Sequence, residues 1–300
     1  MKLLITSFVL LFVASLSHAA DTLIKPYFQA DKIDGDISQV VSAVKQKLTA
    51  GGFEVVGQVS PYADTAVVIA TNDALKANAA KTDYGVFGAG QRITVTKTKN
   101  GIQVAYTNPS YMAHAYRMKS DLADVTTAMN TALGNQGEYG PDEGLTKEDL
   151  REYHYKFLMP YFYDRLQLAE HESHADAIAA VEKNLAAKAG GVSKVYRIDL
   201  PGLEKTVIGV QMSGPEENDC SGDQYIMSRI DFKELKSSGH LPYEMVISGG
   251  NVYALPAEFR IAISFPDLSM MGSNSFASIM CAPSAIEEAL TAVAGGKPEE

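Results

Sequence analysis

The chain has 300 residues, with 26 Lys and Arg against 36 Asp and Glu, for a formal charge of −10 at neutral pH. An acidic chain with no basic block is a poor ligand for nucleic acid or an anionic membrane, so neither is an expected partner. A hydrophobic content of 46% excludes disorder and calls for a packed core.

Residues 1–19 read as a secretory signal peptide. Lys2 gives the short positive start, residues 3–16 the apolar run, and Ser17-His18-Ala19 the small-residue cleavage site. The run is short of the ~20 residues that a membrane span needs, and no later segment reads as one. The chain is therefore expected to be exported, periplasmic or secreted, with no membrane span after cleavage.

Residues 36–134 form a first unit. Asp36 is placed to cap a helix whose face is Ile37, Val40, Val41, Val44 and Leu48, ended by Gly51-Gly52. Residues 53–56 and 65–71 read as strands, and 72–81 as an alanine-rich helix. Residues 85–90 lack the glycine order of a nucleotide loop and read as a flexible lead into the next strand. That strand, 92–98, alternates apolar and polar residues. Asn100-Gly101 signals a hairpin, and 102–106 return. Asn108-Pro109 breaks the strand, and helical stretches at 111–118 and 122–133 follow.

Residues 135–172 form a linker. Thr146 with Asp149 starts a helix. The next run, residues 153–163, is aromatic, and Pro160 prevents it from being one continuous helix. The run either packs across a seam between halves, each ring burying ~150–250 Å², or lines a ligand cleft through Tyr153, Tyr155, Tyr161 and Tyr163.

Residues 173–296 repeat the order of the first unit, before a tail at 297–300. Ser173 with Asp176 caps a helix bearing Ala177, Val181 and Leu185, followed by Gly190-Gly191. Strands are expected at 192–198 and 206–212, then a polar insert at 214–224 and a short helix at 230–236. A second strand pair is expected at 243–248 and 259–265, with Pro266 in the place of Pro109. Helices at 273–281 and 285–294 close the chain, the last capped by Ser284 with Glu287.

This order, given twice, does not alternate as parallel βαβ proteins do. It predicts an α+β fold of two similar lobes from an internal duplication, each a mainly antiparallel sheet with helices on one face. The two lobes would form an intramolecular pseudo-dimer.

Three stretches carry a family resemblance: residues 48–55, ending Gly51-Gly52-Phe53-Glu54-Val55; His240-Leu241-Pro242 before a strand; and Thr107-Asn108-Pro109 after one. In these, each half resembles the family known as domain of unknown function 302. The resemblance implies a compact α+β domain that pairs with a second copy. Many members look as if they carry Cys-Asn-Pro after the second strand. Here Thr71-Asn72-Asp73 and Met212-Ser213-Gly214 stand there instead, so an activity tied to that cysteine is not expected.

Cys220 and Cys281 are the two cysteines, and there is no CxxC. In an oxidising compartment the pair is expected to form a disulfide, the alternatives being free thiols or a thiolate metal site. His171 and His174 are three apart, a spacing that can put two imidazoles on one helix face. With His114, His154, Met112 and Met118 they make a candidate set for a soft metal such as copper(I), or for haem. Met270, Met271 and Met280 are further methionines at a matching place. Asp142, Glu143, Asp219 and Asp223 read as solvated loop carboxylates. No GxSxG elbow is present. The expected function is thus a non-catalytic binding or accessory protein, with no cofactor assigned, for an unknown small ligand or periplasmic protein. The alternative is a metal or redox accessory using the His/Met set.

Overall fold

The computed structural model of the chain describes residues 22–214 and 219–297. The expected signal peptide and residues 215–218 of the insert lie outside the described residues. A short strand, β1 (Tyr27–Gln29), opens the fold and is followed by α1 (Ile37–Ala50). Asp36 accepts the Gln39 N–H, and the Gln39 side chain returns to the Asp36 N–H, so the helix starts with two donors satisfied. Its stripe of Val40, Val41, Val44 and Leu48 is buried. Then come β2 (Glu54–Val59), β3 (Thr65–Thr71), α2 (Asp73–Ala79), β4 (Gln91–Thr98) and β5 (Gly101–Thr107). Asn108 caps α3 (Pro109–Ala115), and α4 (Ala123–Leu133) and β6 (Glu138–Tyr139) complete the first sheet's elements.

The join contributes α5 (Lys147–Arg151), capped by Thr146, and β7 (Leu166–Glu170). The second half runs α6 (His174–Ala186), β8 (Val192–Asp199), β9 (Lys205–Met212), α7 (Asp223–Ile230), β10 (Tyr243–Ser248), β11 (Asn251–Ala254), α8 (Ala257–Ser264) and α9 (Ala282–Ala294). The fold is α+β, with two sheets whose ladders are antiparallel. Their orders are β2-β3-β4-β5-β1-β6 and β7-β11-β10-β9-β8. Five strands of each sheet thus correspond in order, with β1 matching β7. Both matched outer strands come from outside the two units read from the sequence. Each is short and lacks a periodic pattern of its own.

Several expected elements are displaced. Residues 259–265 are not a strand but most of α8; every residue of that helix but Glu258 is buried, which erases the helical period and leaves an apolar run that reads equally well as a strand. The true return strand is β11, four residues long after the Gly249-Gly250 turn. Pro256, not Pro266, therefore stands where Asn108-Pro109 stands, just before a helix. The helix expected at 230–236 lies one turn or two earlier, as α7, with Ile226, Met227 and Ile230 inward. Residues 273–281 hold only a 3-10 turn, Phe276–Ile279, and α9 starts at Ala282, so Ser284 lies inside it rather than capping it. The glycine-rich lead at 85–90 is a buried 3-10 turn, Gly85–Gly88. Together Phe276–Ala294 form the one described helical stretch long and apolar enough to cross a membrane by composition; Ile286, Leu290 and Val293 bury its inner face in the second core.

The two sheets meet face to face. The 3-10 turn before β4 lies on β9 and β10, and the corresponding turn before β10, Ser238–His240, lies on β3, β4 and β5. The edge strands β2 and β8 run beside each other, and each carries a bulge, at Val56 and Val195. Tyr196, Ile198, Val207 and Val246 of the second half join the first half's apolar core across this seam.

The ladders give the halves a common register. Gly57 pairs with Ile69, which pairs with Arg92; Tyr196 pairs with Gly209, which pairs with Glu244. Large and small residues are exchanged between the halves. The Tyr196 ring lies over Gly209, where an added Cβ would sit 1.9 Å from the ring. Gly209→Ala should therefore destabilise the fold by about 1–3 kcal/mol, as overpacked cores do. Urea unfolding measures this, and an unchanged midpoint would contradict the packing described.

Candidate functional site

Alternation along β4 and β10 sends Arg92 and Glu244 into the seam. Both are buried, at 2% and 4% exposure, with Arg260 of α8 at 2%. Arg92 Nη2 donates to Glu244 Oε1, which also accepts the Tyr196 hydroxyl at 3.0 Å. Arg260 Nη2 lies 3.5 Å from Glu244 Oε2 and donates to the His240 and Pro242 carbonyls at 2.7 and 3.0 Å. Arg260 Nη1 donates to the Tyr116 hydroxyl of the first half at 2.6 Å. One carboxylate thus faces two guanidiniums; the Arg260 Nη groups are spent on Tyr116 and two carbonyls, while Arg92 Nε and Arg260 Nε are buried without a hydrogen-bond partner. Burial opposes the Arg92 charge, but the Glu244 carboxylate outweighs it and holds the guanidinium protonated above its ordinary range.

His240 stands beside this cluster. Its Nδ1 is 3.0 Å from the Ser264 hydroxyl and its Nε2 3.0 Å from the Tyr243 hydroxyl. The Ser–His contact looks like a nucleophile and its base. Its electrostatics are wrong for that work. Burial first, then the charges of Arg260 and Arg92, push the imidazole well below its ordinary range. Burial, followed by the two guanidiniums, disfavours the imidazolium that a general base becomes in the transition state. The cluster joins the halves through Arg92–Glu244 and Arg260–Tyr116.

The aromatic join divides in two. Phe162 is the part that bridges the seam, packing among Phe87 and Tyr116 of the first half and Phe259 of the second. Tyr153 donates to the Ala262 carbonyl at 3.2 Å and Tyr155 to the Leu268 carbonyl, so both hydroxyls are satisfied inside the second half rather than in a cleft. Tyr161 is stacked between His154 (4.4 Å) and Tyr163 (4.9 Å), and Arg117 sits over Tyr163 at 5.4 Å. Of the four tyrosines, Tyr161 alone lines a cleft of about 560 Å³. Phe157, Leu158 and Pro160 form one wall with it, and Pro256 and Pro283, before α8 and within α9's first turn, form the other. Phe157 and Leu158 are each 87% exposed.

Two other concavities lie along the seam. One of about 640 Å³ spans β5, β1 and β6 against residues 233–235. Its polar groups bond one another: Gln103 donates to Tyr139 and to the Lys236 carbonyl, accepts from the Lys236 N–H, and Lys233 is held by Asp267 and the Gly140 carbonyl. The other, about 430 Å³, brings Tyr62 and Thr96 of the first half to Asp231, Phe232 and Lys236 of the second. Burial raises the Asp231 carboxyl to about 6, against the Ser237 N–H and Lys236, which lower it. Asp223, read from the sequence as solvated, is buried with Oδ2 accepting the Met212 N–H, and burial raises its carboxyl well above the usual range.

Met112 and His114 share α3, and the four histidines proposed for a metal sit on separate segments. His114, on α3, accepts from Arg151 at 3.3 Å through Nδ1, and burial followed by the Arg151 charge lowers its pKa. Met112 and Met118 flank it in sequence but are buried in the first core. His154 is stacked on Tyr161. His171 donates to the Ala294 carbonyl at 2.9 Å, and His174, at the start of α6, is 3.2 Å from the Thr206 hydroxyl. Among the described residues no three His, Cys, Asp or Glu side chains come together as a metal would require. Met271 and Met280 are exposed at the surface. Cys220 and Cys281 are joined by a disulfide that ties the segment before α7 to the start of α9.

Sequence reasoning missed Arg92, Glu244 and Arg260. Arg260 interrupts an otherwise apolar stretch, whereas Arg92 falls on a polar position of an alternating strand and gives no signal of its own. No family model, curated protein or solved structure matches the chain.

Glu244→Gln should cost about 3–5 kcal/mol, because it leaves two buried guanidiniums without their carboxylate; a urea-measured loss below ~1 kcal/mol would contradict the cluster's role. The pH dependence has two opposed parts. His240 has a depressed folded pKa, so its neutral burial is free above about 6.5 and destabilises as pH falls below that value. Asp231 has a raised folded pKa, so the fold holds its proton between about 4 and 6, and that contribution is lost as pH rises through 6. Asp231→Asn should therefore gain on the order of 2–3 kcal/mol relative to the parent at pH 7 compared with pH 4. Equal effects at both pH values would refute the assignment.

Proposed function

We propose that this chain is an exported, non-catalytic binding or accessory protein. It is built as a pseudo-dimer of two related halves and takes its ligand in the cleft beside the aromatic join. The matched strand order and register of the two sheets support the internal duplication. The resemblance to domain of unknown function 302 fits the same pairing. The disulfide supports export, since such bonds persist in oxidising compartments.

The observation that carries the binding reading is the cleft itself. Large apolar side chains sit at its mouth with no interior to fill, and proteins that expose such groups around a concavity of this size use them to bind. In the larger concavity along the seam, by contrast, Gln103, Tyr139 and Lys233 are engaged by protein partners. Ligand-observed NMR against a fragment library should yield binders whose signals are lost with Tyr161→Ala, while the melting temperature of that variant stays within a few degrees of the parent. Hits that survive Tyr161→Ala unchanged would place binding elsewhere and reject this reading.

A further inference from the structure

We propose that Asn100 is a site of slow covalent modification, its side-chain amide converting to a carboxylate, and that the conversion loosens the halves from each other at the larger seam concavity. Asn100 stands at the tip of the β4–β5 hairpin and is the one asparagine in the sequence followed by glycine. Both Asn100 and Gly101 are exposed. The following residue matters because its backbone nitrogen is the group that attacks the asparagine Cγ, and a side chain there stands in the way. Gly101 has none, and a Cβ added to it would meet nothing within 4 Å.

Thr98 holds the turn in its resting form. Its hydroxyl donates to the Gly101 carbonyl at 3.0 Å and accepts the Asn100 N–H at 3.2 Å. Nitrogen and Cγ therefore meet when the tip opens locally, and exposed tips open at the least cost. Hydroxide takes the Gly101 amide proton, the nitrogen bonds to Cγ, and the Cγ–Nδ2 bond breaks, with Nδ2 leaving as ammonia on a proton from water. Water then opens the resulting cyclic imide at either carbonyl, giving aspartate or isoaspartate. One water enters and one ammonia leaves, with no change of oxidation state. The other asparagines are less suited. Asn108 precedes Pro109, which has no N–H. Asn274 precedes the buried Ser275, and its amide donates to the Arg229 carbonyl at 2.6 Å.

What the conversion does follows from where the amide points. Asn100 Nδ2 donates to Glu234 Oε1, which joins the hairpin tip of the first half to the segment before β10 in the second. The two residues stand in the wall of the concavity of about 640 Å³. A carboxylate at position 100 has no N–H to give and sets its charge against that of Glu234. The nearby cations offset only part of this: Lys99, 3.9 Å from Glu234 Oε1, is 74% exposed, and Lys233 is held by Asp267. An attractive contact between the halves becomes a repulsive one.

The test has two parts. The full chain is incubated near pH 9 and near pH 6, beside a peptide of residues 97–104, and digests are read by mass spectrometry. Asn100 should convert before any other asparagine, and faster near pH 9. Conversion of Asn274 ahead of it, or an intact Asn100 after the peptide has reacted, would overturn the site. In the second part, Asn100→Asp should speed amide hydrogen exchange at the hairpin tip about two- to fivefold, less at high salt. Adding Glu234→Gln should return exchange to the parent's rate, because the glutamine amide can donate to the new carboxylate. Exchange unchanged by Asn100→Asp, or still fast with Glu234→Gln, would overturn the loosening.

Discussion

The fold turns on one dehydrated carboxylate, Glu244, held between Arg92 and Arg260 where the two sheets face each other. Moving such charges out of water is expensive, several kcal/mol per ion even after relaxation. That cost is offset only while every partner is in place. The partners come from five elements: β4, β8, β10, α8 and the turn after α3 that carries Tyr116. A slip of one residue in β4 or β10 would turn its charge toward its own helices. The bulges at Val56 and Val195 and the exchange of glycine for tyrosine across the seam serve the same register.

The charges that lock the seam also act on the histidine beside it. Burial first, then the two guanidiniums, disfavours the charged form of His240, whose ring nitrogens meet the Ser264 and Tyr243 hydroxyls. Polar groups close to water behave differently. Asp231 faces a cleft with a carboxyl that titrates close to pH 6, and the aromatic join presents rings to solvent. The most regular geometry thus lies at the centre of the molecule, and the exposed rings lie at its periphery, where the halves differ.

Much of the architecture was legible because caps and periodicity are local. Asp36, Thr146 and Ser173 cap the helices that their neighbours predicted, and the two double glycines mark equivalent places. Legibility failed where burial was complete. The run around Phe259 reads as a strand because it has no polar face, and β1 and β7 are too short to show alternation. The seam cluster was beyond reach for a different reason. Arg92 and Glu244 are 152 residues apart and meet only through tertiary packing. In the join, the residue types allowed either packing across the seam or a cleft. Which tyrosine faced it was decided by carbonyls of α8 and of the segment after it, which captured Tyr153 and Tyr155.

The separation of Arg92 from Glu244 also bears on how the chain reaches its final state during synthesis. Domains made early ordinarily fold while the rest emerges. Here the early half ends in a face bearing a guanidinium whose counter-charge is encoded near the far end of the message. Its outer helices can form as soon as they are made, but its inner face has nothing to close against. Until β10 is in place, Arg92 lacks its carboxylate and the first half's apolar inner face lacks its cover from Tyr196, Val207 and Val246, which leaves that sheet open to capture by the wrong partner.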